Sequence, residues 1–361
     1  MTSKQYRIGF IGLNPDSHWA ATAHVPALKS LSDRFSIDGV ANSTPESAKR
    51  TADALGIQAY DSAGALCASP DIDIVVVTVK VPHHLELVTT ALNAGKNVYC
   101  EWPLGNGIDE ARQLAALAAE KGVVAVCGTQ ARMAVEVAHL RGLVMDGFVG
   151  KVLSTTLVGS GGNWSGETVA DLAYLFDAAN GATMQSIPLA HTLAAVGEVL
   201  GPIARLDGQF ASNFKTVNVT DSGETRPKTA PDQIMATGTL ESGAALVVHY
   251  RGGSSRGTNL LWEINGSEGD IQVTGTSGHG QMTQLSLRGA RGSDREMAPL
   301  DPPASAYEGL PDSALVRNVA GVYARMADDL DNGTRTAPSF ADAVRLHEVV
   351  DMLEQTAKAK S

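Results

Sequence analysis

The chain has 361 residues, 43% of them hydrophobic and 19% charged, which fits two ordinary globular domains and excludes a disordered chain. Its formal net charge of -11 argues against non-specific nucleic-acid binding, which needs clustered cations to displace phosphate counterions. No stretch approaches the ~20 uncharged apolar residues of a membrane span, and the polar opening residues lack a signal-peptide pattern, so a cytoplasmic protein is expected.

From residue 6 to about 129, short Val/Ile-rich runs alternate with segments of helical apolar spacing. Strands are expected at 7–12, 36–42, 74–79, 97–101 and 123–127, with helices at 24–31, 47–55, 84–94 and 107–121. Repeated strand–helix units of this kind imply right-handed crossovers and a doubly wound parallel sheet. A helix at 133–145 then leaves this first domain, residues 1–130.

The remainder, 131–361, has a different rhythm. Strands are expected at 152–158, 205–209, 236–240, 244–251, 259–264 and 270–274, several separated by turn signals such as Glu241-Ser-Gly. One helix at 184–200 interrupts them, and helices at 316–330 and 340–357 close the chain and are expected to pack back on the first domain. Strand runs with segregated helices read as α+β: an open, mostly antiparallel sheet with helices on one face. Residues 275–313, rich in Gly, Ser and Pro, read as a long irregular loop with weak strand content. The open sheet face predicts a homodimer or homotetramer.

Ile8-Gly-Phe-Ile-Gly12-Leu-Asn14 ends the first strand and precedes a helix. A glycine there lets the backbone turn tightly against a diphosphate, which the helix N-terminus stabilises. Asn14 stands at the second glycine position of the usual fingerprint, and residues up to Trp19 lengthen the loop. The second strand ends Val40-Ala-Asn42-Ser43-Thr44 without the carboxylate that accepts the ribose hydroxyls of NAD. Asn42 and Ser43, with Lys49 and Arg50 nearby, suit a 2′-phosphate instead, so the expected cofactor is NADP or NAD, leaning to NADP. The alternative is a capped helix start with solvated basic residues.

The series Gly12…His24-Val-Pro-Ala-Leu, Thr78…His84, Cys100-Glu101-Trp102-Pro103-Leu and Gly147…Gly150-Lys-Val resembles the glucose–fructose oxidoreductase/inositol dehydrogenase (Gfo/Idh/MocA) family. Gly161-Gly-Asn-Trp, Pro227-Lys-Thr-Ala-Pro-Asp232 and Gly266-Ser-Glu-Gly-Asp270 resemble one branch of it. That branch holds the dinucleotide-binding repressor of the fungal galactose pathway and its bacterial oxidoreductase-like relatives. The resemblance implies a Rossmann domain, a pyridine nucleotide and a sugar or polyol substrate. It places Gly12, Leu13, Asn14, Trp19, Asn42, Ser43, Thr78, Val79, Lys80, His84, Glu101, Trp102 and Gln130 around the cofactor. Trp102 stands where the family has a lysine, and Ile187, four residues before His191, stands where it has an aspartate.

Hydride transfer from an alcohol needs a cofactor, a base for the hydroxyl proton and donors that hold the substrate. His191 is the candidate base, since an unperturbed imidazole near ~6.5 suits neutral pH; the alternative is a buried structural histidine. Lys80, at the C-terminal end of the strand at 74–79, and Tyr174 are further catalytic candidates, against solvated and packing roles. Trp102, Arg132, Asn163, Trp164, His191 and Asp232 are the candidate substrate contacts. Cys67, Cys100 and Cys127 lack CxxC spacing and read as buried free thiols; no metal site is expected. The readings are an NAD(P)-dependent oxidoreductase of sugars or polyols, a catalytically silent dinucleotide-binding regulator, and a lyase or epimerase using its cofactor transiently.

Overall fold

The structure is a computed structural model that describes residues 5–16 and 18–360. The polar opening at residues 1–4 and Ser17, part of the lengthened glycine loop, lie outside the described residues. The chain divides into two compact units, residues 1–130 with 309–347, and residues 131–308 with 348–361.

Unit 1 is built on strand–helix repeats. β1 (Tyr6–Ile11), α1 (Val25–Ser30), β2 (Phe35–Ala41) and α2 (Pro45–Leu55) lead to the short β3 (Gln58–Ala59) and α3 (Ala63–Ala68). β4 (Ile74–Val77), α4 (His84–Asn93), β5 (Asn97–Glu101), α5 (Ile108–Lys121) and β6 (Ala125–Gly128) complete the series. All strands are parallel, in the order β3-β2-β1-β4-β5-β6. β4 is buried along its whole length as Ile-Val-Val-Val, as a strand covered on both faces must be.

Local chemistry fixes the helix ends. Thr44 caps α2 by accepting from the Ser47 N–H, Pro45 pre-sets the first turn, and Gly56 ends it at φ +69°. A π-type turn, Ala20–His24, precedes α1 and begins the helical stretch ahead of the helix expected from residue 24. β3 and α3 were not expected: a two-residue strand is too short to show a period, and α3 is a single capped turn and a half starting at Ser62.

Unit 2 opens with α6 (Val135–Met145) and β7 (Val152–Ser160), followed by the two-residue β8 (Glu167–Thr168), α7 (Ala190–Leu200) and β9 (Ile203–Ala211). β10 (Thr216–Val219) and β11 (Glu224–Pro227) join β8 in a small sheet. β12 (Gln233–Leu240), β13 (Ala245–Arg251), β14 (Leu260–Gly266), β15 (Gly269–Gly275), β16 (Leu285–Arg291) and β17 (Ala298–Pro299) complete the large one. Its order is β17-β16-β15-β14-β7-β13-β12-β9. All pairings are antiparallel except β7 with β13. The stretch read as irregular loop thus contains a full strand: β16 alternates buried and exposed residues as Leu-Ser-Leu-Arg-Gly, and β15 supplies its ladder. A π-type turn with Pro188 inside it (Gln185–Leu189) feeds α7, where one continuous helix was expected.

α8 (Ala314–Asn332) belongs to unit 1, where it packs on α1 and places Tyr323 beside His24. α9 (Phe340–Lys358) begins beside Trp102, with His347, in unit 1. Its later turns pack on β9 in unit 2, where Gly208 leaves room for the Leu353 backbone. Among the described residues no helix is long and apolar enough to cross a membrane.

Candidate functional site

In a doubly wound sheet of order 3-2-1-4-5-6 the chain reverses direction between β1 and β4, which opens a crevice outside the carboxyl ends of the strands. Gly12 lies at that point with φ +94°, a conformation that strains any side-chain-bearing residue. A Cβ on it would sit 2.5 Å from Val79 Cγ1, so the two crevice loops approach closely only because position 12 is bare. Thr78 Oγ1 donates to the Gly12 carbonyl at 2.7 Å, binding the second loop to the first.

Asn42 holds the turn from the other side. Its Oδ1 accepts from the Leu13 N–H at 2.9 Å, and its Nδ2 donates to the Leu13 carbonyl at 2.9 Å and to Ser47 and Thr51. The amide is therefore a clasp on the glycine turn, not a free donor for a 2′-phosphate. Ser43 is exposed, and Lys49 pairs with Asp53 on the same helix face. Asn14 is exposed and accepts from the Asp16 N–H; among the described residues of this loop, His18 is left-handed besides Gly12, at φ 71°.

Further along the sheet edge, His84 is buried with Nδ1 2.8 Å from the Pro103 carbonyl and Nε2 3.0 Å from the Val79 carbonyl, tying the loops after β4 and β5 together. Burial pulls its imidazole below the ordinary range, although those carbonyls oppose the shift. Lys80 is exposed beside this loop. Gln130, just past β6, donates from Nε2 to both Glu101 oxygens, at 2.7 and 3.0 Å. Trp102 is 4% exposed with its ring centroid 4.5 Å from that of His347, which is the packing role rather than an open stacking face.

These residues fit a dinucleotide. Besides the bare Gly12, the buried Trp19 Nε1, Thr129 Oγ1 and Gln130 Oε1 have no hydrogen-bond partner, and all three lie past the carboxyl ends of β1 or β6. Buried polar atoms without partners are uncommon and mark where a ligand can complete the pairing.

Unit 2 gathers a second group. His191, in the first turn of α7, is 3% exposed and its Nδ1 lacks a partner. Burial, helped by the nearby His279, pulls its imidazole down to about 3. This departs from the near-neutral base expected from residue type, because the tertiary environment withdraws water from the charged form. His279 donates from Nε2 to the Gly161 carbonyl at 2.6 Å, and its ring stacks at 6.3 Å on that of Trp164. A carbonyl can only accept, so Nε2 carries the proton. Sequence reasoning missed His279; its signal was a histidine set between Gly278 and Gly280 in the stretch read as loop.

Arg132 ties the start of unit 2 to α7 through two bonds to Glu198, at 2.7 and 3.1 Å. Trp164 is buried and donates its indole N–H to the Leu175 carbonyl at 2.8 Å. Asn163 is half-buried, and its carbonyl accepts from Gly253. Tyr174 is half-buried on a 3₁₀ segment, where burial raises its phenol. Asp232 is 1% exposed and stands apart: it accepts from the Asn213 and Phe214 N–H groups and from Lys228 Nζ at 3.1 Å. Burial works against its charge, yet these donors hold its carboxyl below the ordinary range. That carboxylate is engaged internally and offers a substrate little.

Among the described residues no cluster of His, Cys, Asp and Glu is arranged to hold a metal ion. The sheet order and glycine turn define the class of a dinucleotide-binding Rossmann protein. Residues 6–129 match the oxidoreductase family with NAD-binding Rossmann fold, and residues 136–275 match the C-terminal domain of Gal80p. The chain belongs to the Gfo/Idh/MocA oxidoreductase family, in the branch that resembles Gal80.

It is 27% identical to the galactose/lactose metabolism regulatory protein GAL80 of Saccharomyces cerevisiae, covering 96% of this chain and 91% of that protein. It is 31% identical to the dehydrogenase aclE of Aspergillus oryzae, covering 76% and 78%. Among solved structures, a super-repressor mutant of Gal80p from Saccharomyces cerevisiae superposes with a TM-score of 0.90 at 24% identity, covering 99% and 97%. Levoglucosan dehydrogenase in complex with NADH and levoglucosan superposes at 0.84 with 20% identity, covering 99% and 98%. At these identities the two structures speak for the fold.

Proposed function

We propose that this protein is an NAD(P)-dependent oxidoreductase that moves a hydride between a nicotinamide and a hydroxyl-bearing carbon of a sugar, polyol or similar compound. The observation that carries it is the glycine turn at Gly12, clasped by Asn42 and closed by Thr78 at the reversal point of the sheet. Kinship with sugar-acting dehydrogenases supports the substrate class.

When bound, the nicotinamide would supply the hydride acceptor. Leu13, Thr78, Val79 and Trp19 line the diphosphate side, and Glu101 with Gln130 lies in the half of the sheet edge that takes the nicotinamide. His191 is neutral throughout the physiological range, so it accepts the hydrogen of a substrate hydroxyl and orients it. The departing proton goes to water, and Lys80 of unit 1 and Tyr174 of unit 2 are proposed as hydrogen-bond donors rather than bases. Within unit 2, Arg132, Asn163 and the His279–Trp164 pair are proposed, with His191, as polar and aromatic contacts of the substrate.

We assign NADP at least equal standing with NAD, because Asn42 rather than an acidic residue stands directly after β2. The exposed Val247 on β13 supports a homo-oligomer through that face of the large sheet.

A second reading is favoured by one observation: Trp102 and Ile187 stand where the family carries a lysine and an aspartate. A catalytically silent dinucleotide-binding regulator would tolerate both. Purified protein, incubated with each nucleotide and a panel of sugars and polyols, is followed by the absorbance of the reduced nicotinamide. Turnover with at least one compound, lost in His191→Ala while nucleotide binding persists, supports the enzyme. No turnover with any compound, alongside a nucleotide-dependent rise in Tm, selects the regulator.

A further inference from the structure

Glu101 ends β5, and β5 lies with β4 and β6 in the half of the sheet that takes the second mononucleotide, the nicotinamide side, when a dinucleotide spans the reversal point. Its side chain is 12% exposed. Oε1 lies 3.0 Å from His24 Nε2, and Gln130 Nε2 reaches both oxygens. Gly128 makes this possible, since a Cβ there would stand 2.5 Å from Glu101 Oε1 and 2.6 Å from Gln130 Nε2.

Behind the carboxylate the chain of bonds continues inward. His24 Nδ1 lies 2.7 Å from the Tyr323 hydroxyl, and both side chains are fully buried. That bond decides where the proton sits. Among the described residues, His24 Nδ1 is the acceptor available to the Tyr323 O–H. Were the imidazole doubly protonated, Nδ1 would become a donor and the buried O–H would lose its acceptor, which is expensive in the interior. Tyr323 therefore donates to Nδ1, His24 is neutral, and its Nε2–H donates to Glu101.

Among the described residues, Glu101 pairs with no lysine or arginine. Burial, reinforced by the Glu101 charge, raises the Tyr99, Tyr323, Cys100 and Cys127 groups well above their ordinary values. Burial also keeps His84 neutral. Among the described residues the ion-pair partner of Glu101 would be His24, and the Tyr323 O–H keeps Nδ1 of that ring an acceptor.

We infer that His24 and Tyr323 are positioning residues that keep Glu101 as a lone fixed anion on the nicotinamide side, where it favours the oxidised, cationic ring over the reduced, neutral one. This rests on the dinucleotide reading above. Glu101 attracts the positive ring without moving a proton, so the preference is a binding property independent of turnover.

The test is the ratio of dissociation constants, reduced over oxidised, for NADH and NAD⁺ and for NADPH and NADP⁺, by calorimetry on the full chain. Glu101→Gln keeps the hydrogen-bond acceptor but removes the charge, and lowers the ratio about tenfold, the size expected of one partly screened unit charge near the ring. Tyr323→Phe leaves His24 Nδ1 without its donor, frees the ring to turn away from Glu101, and lowers the ratio in the same direction. His24→Gln still donates to Glu101, cannot become charged, and leaves the ratio as in the wild type. A role confined to packing would change Tm in these variants but not the ratio. The inference is overturned if both redox forms bind and Glu101→Gln leaves their ratio unchanged, or if His24→Gln lowers it as far as Glu101→Gln does. Wild-type titrations that are flat with all four nucleotides overturn the dinucleotide reading itself, and with it this one.

Discussion

Removing the Asn42 amide should unfasten the glycine turn. Leu13 is buried, and its N–H has the Asn42 Oδ1 as its partner at 2.9 Å. In Asn42→Ala that N–H is left unsatisfied, a cost of about 1–3 kcal/mol. The Leu13 carbonyl keeps its bond from Thr51 Oγ1 but loses the one from Nδ2, and the amide's links to Ser47 and Thr51 are lost too. The lost bond to the Leu13 carbonyl adds about 1 kcal/mol net, and the Ser47 and Thr51 hydroxyls, which only accepted from the amide, add little, for a total of about 2–4 kcal/mol. In a domain of this size that corresponds to a fall in Tm of about 5–12 °C. The same change leaves the loop held by Thr51 and Thr78 without Asn42, so nucleotide affinity should fall together with stability. Urea denaturation gives the first quantity and calorimetric titration the second. A stability loss below about 0.5 kcal/mol, the range of neutral surface substitutions, with unchanged nucleotide affinity would refute the clasp.

Two further outcomes follow from burial. His347 is pulled down to about 4 and His191 to about 3, while both take the ordinary 6.5 when unfolded. The unfolded chain therefore binds more protons, and stability falls as pH drops through 6.5 toward 4, by up to about 1.4 kcal/mol per pH unit and histidine. Denaturation at pH 7 and pH 5 should show this, with a shallower slope in His347→Gln; equal stability at the two pH values would contradict it. Trp102→Lys, which restores the family residue, removes a ring packed 4.5 Å from His347 and buries an ammonium in its place. Loss of such a ring costs about 3–5 kcal/mol, so thermal melting should shift down strongly without any gain in nicotinamide-linked turnover. A stable and more active variant would show that position 102 faces the reacting groups.

Much of this was readable from residue pattern, and the rest was hidden for identifiable reasons. The Ile74–Val77 run and the Thr44-Pro45 start of α2 carry their own physics, so strand and cap were legible. β16 alternates cleanly, but the glycines and prolines around it masked a strand that exists because β15 is there to pair with it. Gly12 was legible as a turn; that Asn42 would spend its amide on Leu13, rather than on a ligand, depends on where β2 ends relative to β1. His191 was legible by type, yet its depressed basicity comes from side chains remote in sequence, His279 among them. The bond from Tyr323 to His24 joins residues at opposite ends of the chain, and no local pattern announces it.

The central claim is that the loop at Gly12 holds a pyridine nucleotide. Isothermal titration of the purified chain with NAD⁺ and NADP⁺, repeated with Gly12→Val, addresses it most directly. The account predicts saturable binding of one nucleotide per chain by the wild type, abolished in the variant, whose side chain would collide with Val79. Absence of heat from either nucleotide at millimolar concentration, or undiminished affinity in Gly12→Val, would contradict it.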